Sequence, residues 1–251
     1  MIERQEAEQI LTYALDLGER MLIRGAEVGR VEDTLTRILN DEGANRVDVM
    51  TITTSIMVTA HFDCDALTQL RRVSGTSYDM TALTHLNNLS RHICSGDVAL
   101  DQIGPKLQEI AREKPYDKPT MVVLYGLASF VFALFFGGSL LDAVLSFLVG
   151  MLIRVMLWVF SSLRVPGLAT TLLCATIGGF LAHGLGWVGV PCAPDMIAIG
   201  NIMLLVPGVG LTNSIRDMFT GDTIAGLLRF SECLLTALAL ACGFALPSLL
   251  G

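Results

Sequence analysis

The charged residues of this chain lie mostly in its N-terminal part, and this asymmetry limits what the remainder can fold into. Residues 1–118 hold 19 of the 24 acidic and 13 of the 17 basic side chains, so the last 133 residues carry only nine charges. Apolar segments of about 20 residues are typical of helices that cross a bilayer. The sequence therefore predicts a membrane protein, with a cytosolic domain over 1–118 and a transmembrane domain over 119–251.

Five segments of the second part are apolar enough to be interpreted as transmembrane helices. They cover about 119–141, 143–163, 167–186, 196–215 and 223–248. Basic residues, which are enriched on the cytoplasmic side of membranes, flank these segments on one side only: Arg112, Lys114, Lys118, Arg164, Arg216 and Arg229. The start "MIERQEAEQI" lacks the basic and apolar order of a signal peptide. The pattern predicts a multi-pass protein of the inner (cytoplasmic) membrane, with a cytoplasmic N-terminus and an external C-terminus.

The odd number of predicted transmembrane helices suggests a partner. Secondary transporters are often built from two repeats of opposite topology, with the substrate site between them. A five-helix chain corresponds to one such repeat. We therefore expect a second, inverted five-helix membrane protein or a homo-oligomer, surrounded by membrane lipids.

The N-terminal domain is predicted to have a small α+β fold. Gly25 separates two amphipathic patterns and Gly43 ends the second, while residues 46–63 are rich in Val, Ile and Thr, which favours strands. The apolar spacing predicts helices over 3–22, 30–43, 79–96 and 97–114.

The fourth predicted transmembrane helix contains the unusual segment "LLVPGVGLTNSIRDMF". Pro207 removes a backbone donor, and Gly208 and Gly210 widen the conformations available beside it. The backbone groups freed by a break inside a membrane can bind a carboxylate or an ammonium group in a water-filled cavity. We predict that this broken helix contributes to substrate binding; a plain kink, or the cytoplasmic end of the helix, is the alternative.

Several charged and polar side chains of the second part are candidates for transport. Arg154 lies about eleven residues into its segment, where a charge is costly unless it faces a cavity or a partner. Arg216 and Asn213 are spaced to share one helix face. We predict that Arg154, Asn213 and Arg216 bind a carboxylate substrate. As an alternative, either arginine could anchor its helix at the lipid headgroups. Glu232 and Asp217 are the candidates for proton coupling.

The N-terminal domain carries a second set of candidates. Glu27, Arg30 and Glu32 lie in "GAEVGRVED", and Arg71 and Arg72 lie in "LRRVSG". We predict that they act as a gate or contact a partner, and a solvated surface is the alternative for both groups.

Other classes of function find little support in the sequence. No metal-ligand spacing or cofactor motif is present, and no basic stripe with interleaved aromatic residues would indicate nucleic acid. His85 and His92 lie seven residues apart on one helix face, which we interpret as solvated. We therefore expect no metal, no cofactor and no nucleic-acid partner.

The order and spacing of four stretches resemble the threonine/serine exporter family. The resemblance covers essentially the whole chain and rests on "RGAEVGRVEDTL", "VMTITTSIMVTA", "RRVSG" and above all "LLVPGVGLTNSIRDMFTGDTIAGLLR". The chain is most similar to the split form of the family, in which a polar domain with five helices is one subunit and a shorter five-helix protein is its partner. The resemblance implies export of threonine and serine, or of dicarboxylates such as succinate.

These observations predict a subunit of a secondary exporter for small carboxylate metabolites, and not an enzyme. Two alternatives remain. A membrane-tethered hydrolase would need a nucleophile and a base that converge in the N-terminal domain, and the sequence shows no such pair. A regulatory subunit would leave the transport pathway to its partner.

Overall fold

The computed structural model describes residues 4–63, 65–112 and 116–249, with backbone alone for Leu100, Asp101 and Ser248. The chain forms two compact units. The polar unit comprises Met1–Glu113 and Val209–Phe230, and the apolar unit comprises Lys114–Gly208 and Ser231–Gly251. The sequence predicts a single boundary after residue 118, whereas the contacts also assign 209–230 to the polar unit.

The polar unit is an α+β structure, and its helices begin and end close to the predicted positions. Gly25 and Gly43 both have positive φ, at 93° and 91°, as expected of glycines that end helices. The elements are α1 (Arg4–Ile23), α2 (Val28–Asp41), β1 (Arg46–Ile52), β2 (Ser55–His61), β3 (Ala66–Arg72), α3 (Met80–Cys94) and α4 (Leu100–Arg112). The predicted end of the last helix, at 114, lies outside the described residues.

The strands form an antiparallel sheet in the order β1-β2-β3. Its inner face packs against the helices through alternate residues of each strand, for example Ile56, Val58 and Ala60 of β2. Ala225, which belongs to the C-terminal segment of this unit, lies in the same apolar core. The core of the polar unit is therefore built from two segments that are far apart in the sequence.

The remaining helices follow the apolar pattern of the sequence. They are α5 (Lys118–Phe135), α6 (Leu140–Ser162), α7 (Gly167–Trp187), α8 (Pro194–Ile202), α9 (Gly208–Thr220) and α10 (Thr223–Ser248). Within the described ranges, α5, α6, α7 and α10 are long and apolar enough to cross a membrane. The fourth predicted helix, 196–215, falls on the shorter helices α8 and α9, with 203–207 between them.

Small residues allow α5, α6 and α8 of the apolar unit to pack closely. A Cβ on Gly200 would lie 2.7 Å from Ser146 Oγ, and one on Gly150 would lie 2.8 Å from Ser129 Cβ. At this contact Ser129 Oγ donates to Asn201 Oδ1 (2.9 Å), and Asn201 Nδ2 donates to Ser146 Oγ (3.1 Å). All three polar side chains are fully buried, so this network fixes the three helices against one another.

Candidate functional site

The candidate site is built around the turn between α1 and α2, residues 24–27, which carries the "GAE" part of the sequence motif. Gly25 has φ 93°, and a Cβ there would lie 2.5 Å from the ring of Tyr78. On the same side, Arg24 Nη1 forms an ion pair with Asp79 Oδ2 at 3.3 Å. The loop before α3 therefore holds the turn from one side, and only glycine fits at its second position.

The other side of the turn is held by side chains of α9 and the first turns of α10. Asn213 Nδ2 donates to Gly25 O (3.2 Å), and Arg229 Nη2 donates to Ala26 O (3.4 Å). Arg216 Nη1 lies 2.9 Å from Glu27 Oε1. Three consecutive residues of the turn are thus bound by residues that follow 188 to 203 positions later.

A buried ion pair lies beneath this contact. Arg229 Nη1 is 3.1 Å from Asp217 Oδ2, and the two side chains are only 6% and 2% exposed. Asp217 also accepts a hydrogen bond from the backbone N–H of Val28, the first residue of α2. The N-terminus of a helix favours a nearby negative charge. Asp217 therefore caps α2 and neutralises Arg229 at the same time.

A third acidic group lies one turn further along α2. Glu32 Oε1 accepts a hydrogen bond from Thr51 N at 2.7 Å, which ties α2 to β1. Burial raises the pKa of Glu32, and the nearby charge of Asp222 adds to that rise, while the Thr51 hydrogen bond opposes it. An open cavity of about 390 Å³ lies here, lined by Glu32, Thr51, Asp222 and their neighbours.

The structure thus brings five predicted residues together, and we call this cluster the turn site: Glu27, Glu32, Asn213, Arg216 and Asp217. Sequence reasoning missed Arg229 as its central cation. The three-residue spacing suggests an ion pair between Arg229 and Glu232, whereas Arg229 pairs with Asp217. The available signal was the cost of a lone arginine at the start of an apolar helix, which requires an acidic partner.

The other candidates of the polar unit lie away from the turn site. Arg71 forms ion pairs with Asp16 (2.6 Å) and Glu19 (3.7 Å), which join β3 to α1. Arg72 is exposed at the end of β3, and Arg30 is exposed on α2. Gly210, from the predicted break, is buried in α9.

The remaining predicted residues belong to the apolar unit. Arg154 is half-buried on α6, and its Cζ lies 5.1 Å from the ring centroid of Tyr125, a cation–π distance. Pro207 lies between α8 and α9, Gly208 is the first residue of α9, and Glu232 is exposed on α10. In the part of the chain that the structure describes, no cluster of His, Cys, Asp or Glu could hold a metal ion.

Comparison with known proteins identifies relatives along nearly the whole chain. Residues 12–250 match the family described as "Putative threonine/serine exporter". The "Probable threonine/serine exporter" of Mycobacterium tuberculosis is 25% identical over 96% of this chain. Proteins named "Probable succinate transporter subunit YjjP" are 25% identical in Klebsiella aerogenes and 23% identical in Escherichia coli, again over 96% of this chain.

The relatives differ in length. The aligned region spans 46% of the Mycobacterium tuberculosis protein, but 93% and 94% of the Klebsiella aerogenes and Escherichia coli proteins. No solved structure matches the chain. The family match and the apolar helices together identify a multi-pass membrane protein.

Proposed function

Because the chain belongs to the threonine/serine exporter family, we propose that it is one subunit of a secondary exporter for small carboxylate-bearing metabolites, and not an enzyme. The observation that carries this proposal is that the family match runs through both compact units. Relatives similar in length are named as subunits of a succinate transporter, which supports a dicarboxylate as substrate. Threonine or serine is the second candidate, supported by the name of the longer relative.

The proposed topology has five transmembrane segments in the inner membrane. Besides α5, α6, α7 and α10, the fourth segment comprises α8 and the beginning of α9, broken at Pro207 and Gly208. Basic residues beside the segments support a cytoplasmic N-terminus and an external C-terminus. A second five-helix protein of inverted topology, or a second copy of this chain, completes the transporter.

The proposed substrate contacts are the backbone at 207–210 and the side chains of Arg154, Asn213 and Arg216. A guanidinium binds a carboxylate through two parallel hydrogen bonds. Arg154 is supported by its incomplete burial and by its place inside a candidate span. Glu232, exposed on α10, and Asp217 are proposed to couple transport to protons.

The turn site is proposed to act as a gate on the cytoplasmic side. The Glu27–Arg216 pair is partly exposed, with the Arg216 side chain 58% accessible, so it can exchange partners. A substrate carboxylate competing for Arg216 would release Glu27 from α9. Glu32, Arg30, Arg71 and Arg72 remain proposed gate or partner contacts.

Transport by the purified protein in lipid vesicles tests the proposal. The vesicles are loaded with labelled succinate or labelled threonine, and efflux is followed with this chain alone and with this chain together with the proposed five-helix partner. We expect efflux of one of the two compounds only when both chains are present. If neither compound leaves the vesicles with both chains inserted, a carboxylate exporter is excluded.

The main alternative is a regulatory subunit whose partner forms the whole pathway. In that case the Arg154→Ala variant would transport as fast as the unmodified complex. The same vesicles therefore distinguish a pathway-forming subunit from a regulatory one.

A further inference from the structure

The polar unit contains a groove between α2 and α3 that the turn site does not use. It has a volume of about 360 Å³, within the range of small-molecule sites. Residues spaced three or four apart line it from each helix, so each helix presents one face. Those that matter here are Arg30, Asp33, Thr34 and Arg37 of α2, with Asn87 and Arg91 of α3.

The described residues that line the groove carry a net positive charge. Three of them are arginines, and Asp33, the only carboxylate among them, already pairs with Arg37 at 2.9 Å. In the described ranges, the side chains of Arg30 and Arg91 form no hydrogen bond or ion pair, and both are exposed. Two guanidinium groups without an acidic partner therefore face the same cleft.

The remaining groups beside the groove leave it with a net positive charge. Cys94 lies at one end, next to Asp41, whose side chain forms a hydrogen bond with the thiol. Burial, followed by that hydrogen bond, raises the pKa of Cys94 to about 11, so the thiol carries no charge near neutral pH. Asp41 contributes one further negative charge, so the three arginines still exceed the two carboxylates by one.

Like charges held in one cleft repel each other, and a bound anion relieves that repulsion. We propose that the α2–α3 groove is a binding site for a small polyanion that carries two or more carboxylate or phosphate groups. Arg30 and Arg37 lie seven residues apart on α2, a rise of about 10 Å, which favours an elongated ligand over a single small ion. The hydroxyl of Thr34 and the amide of Asn87 supply neutral hydrogen-bond donors between the arginines.

This site is independent of the proposed transport function, because binding requires neither a membrane gradient nor a partner subunit. The proposal assigns a ligand-binding role to Arg30, which is not part of the turn site. Val28 and Glu32 of α2 contact the turn site, whereas Arg30, Thr34 and Arg37 of the same helix line the groove. A ligand in the groove would therefore stabilise the helix that Asp217 caps.

Thermal unfolding of the full chain in detergent, followed by circular dichroism, tests the proposal. The probes are citrate, pyrophosphate and the monoanion acetate, each compared with sodium chloride at equal ionic strength, with a chelator in every buffer. A ligand that binds only the folded protein raises the unfolding midpoint with its concentration. We expect a saturable rise with citrate or pyrophosphate and none with acetate. A response to citrate alone assigns carboxylates, and one to pyrophosphate alone assigns phosphates.

Variants identify the groove as the origin of the response. Arg91→Gln and the double variant Arg30→Gln/Arg91→Gln should weaken the apparent affinity by about tenfold or more, the effect of losing one or two charge-assisted hydrogen bonds. Without ligand both should unfold at the unmodified midpoint or slightly above, because repulsion is relieved. Arg46→Gln is the matched control, since Arg46 is exposed and pairs with Asp48 outside the groove. The absence of any saturable rise, or an equal rise in the double variant, would overturn the proposal.

Discussion

Asp217 and Arg229 form a buried ion pair, 3.1 Å apart, that also binds the backbone of the turn before α2. Asp217 accepts from the N–H of Val28, and Arg229 donates to Ala26 O, 203 positions earlier in the sequence. Each member thus has one charged and one backbone partner. Removal of Asp217 leaves the Arg229 guanidinium charged and buried without a counter-ion, a costly state.

Asp217→Asn should therefore strongly destabilise the polar unit. We expect a loss of about 3–5 kcal/mol in unfolding free energy, since Arg229 would keep its charge without a counter-ion. Arg216→Gln is the control, because its partly exposed pair with Glu27 is worth at most about 1 kcal/mol. Chemical denaturation in detergent, followed by circular dichroism, measures both. Equal losses in the two variants would show that burial of the Asp217–Arg229 pair is unimportant.

Gly25→Ala should be far more harmful than Gly75→Ala. Both glycines have positive φ, but a Cβ on Gly25 would lie 2.5 Å from the Tyr78 ring, whereas Gly75 has nothing within 4 Å. The control, Gly75→Ala, should lose only the cost of placing alanine at a positive φ, about 1 kcal/mol of unfolding free energy. We expect a clearly lower unfolding midpoint for Gly25→Ala and partial recovery when Tyr78→Ala is added. No recovery in the double variant would argue against the ring contact.

Glu32→Gln should become relatively more stable as the pH rises. The folded pKa of Glu32 lies above its ordinary 4.5, mainly because of burial. A raised pKa favours folding below the unfolded pKa, and that contribution is lost as the pH rises through the folded pKa. Glutamine stays neutral and can still accept from Thr51 N. The midpoint of the variant minus that of the unmodified protein should therefore increase from about pH 4 to about pH 7. A midpoint difference that stays constant between about pH 4 and about pH 7 would contradict a raised pKa of Glu32.

Gly200→Ala should disturb the apolar unit, whereas Gly184→Ala should not. A methyl group on Gly200 would lie 2.7 Å from Ser146 Oγ and 2.9 Å from Ser129 O, but Gly184 on α7 has open space. Overpacking of this kind costs about 1–3 kcal/mol, while alanine in a helix is better than glycine by up to about 1 kcal/mol. Thermal stability in detergent measures both. A harmless Gly200→Ala would contradict the close packing of α8 against α5 and α6.

Arg154→Ala should abolish transport without loss of the folded protein. The control is Arg164→Ala, because Arg164 is exposed between α6 and α7. Labelled efflux from vesicles that contain both subunits is the measurement, and equal insertion of the two variants is verified first. Transport at the unmodified rate in Arg154→Ala would favour the regulatory alternative.

The helix and strand positions could be predicted largely from local patterns. The helix predicted over 167–186 corresponds to α7 at Gly167–Trp187, and the strand-rich stretch 46–63 contains β1 and β2. These elements follow from apolar runs, β-branched residues and glycine stops, which act over a few positions. The same local reasoning identified Pro207 and its neighbours as unusual, and their role in transport stays a prediction.

The partners within the turn site could not be predicted, because they depend on tertiary packing. Local spacing favours Glu232 as the partner of Arg229. In the structure, Arg229 instead forms an ion pair with Asp217, which also caps α2. The groove that contains Arg30 likewise requires α3 to pack beside α2. Sequence analysis identified Asp217, Glu232 and Arg30 as candidates, but it could not assign their neighbours.

The turn site joins residues that are far apart in the sequence, and this separation has a consequence for the biogenesis of the protein. Asn213, Asp217 and Arg229 are synthesised after α5, α6 and α7, yet they bind a turn made within the first thirty residues. Domains generally fold from the N-terminus as they leave the ribosome. The N-terminus of α2 therefore lacks its contact with Asp217 until α5, α6 and α7 have been translated. The contacts of the polar unit can therefore be completed only after residue 229 has been synthesised.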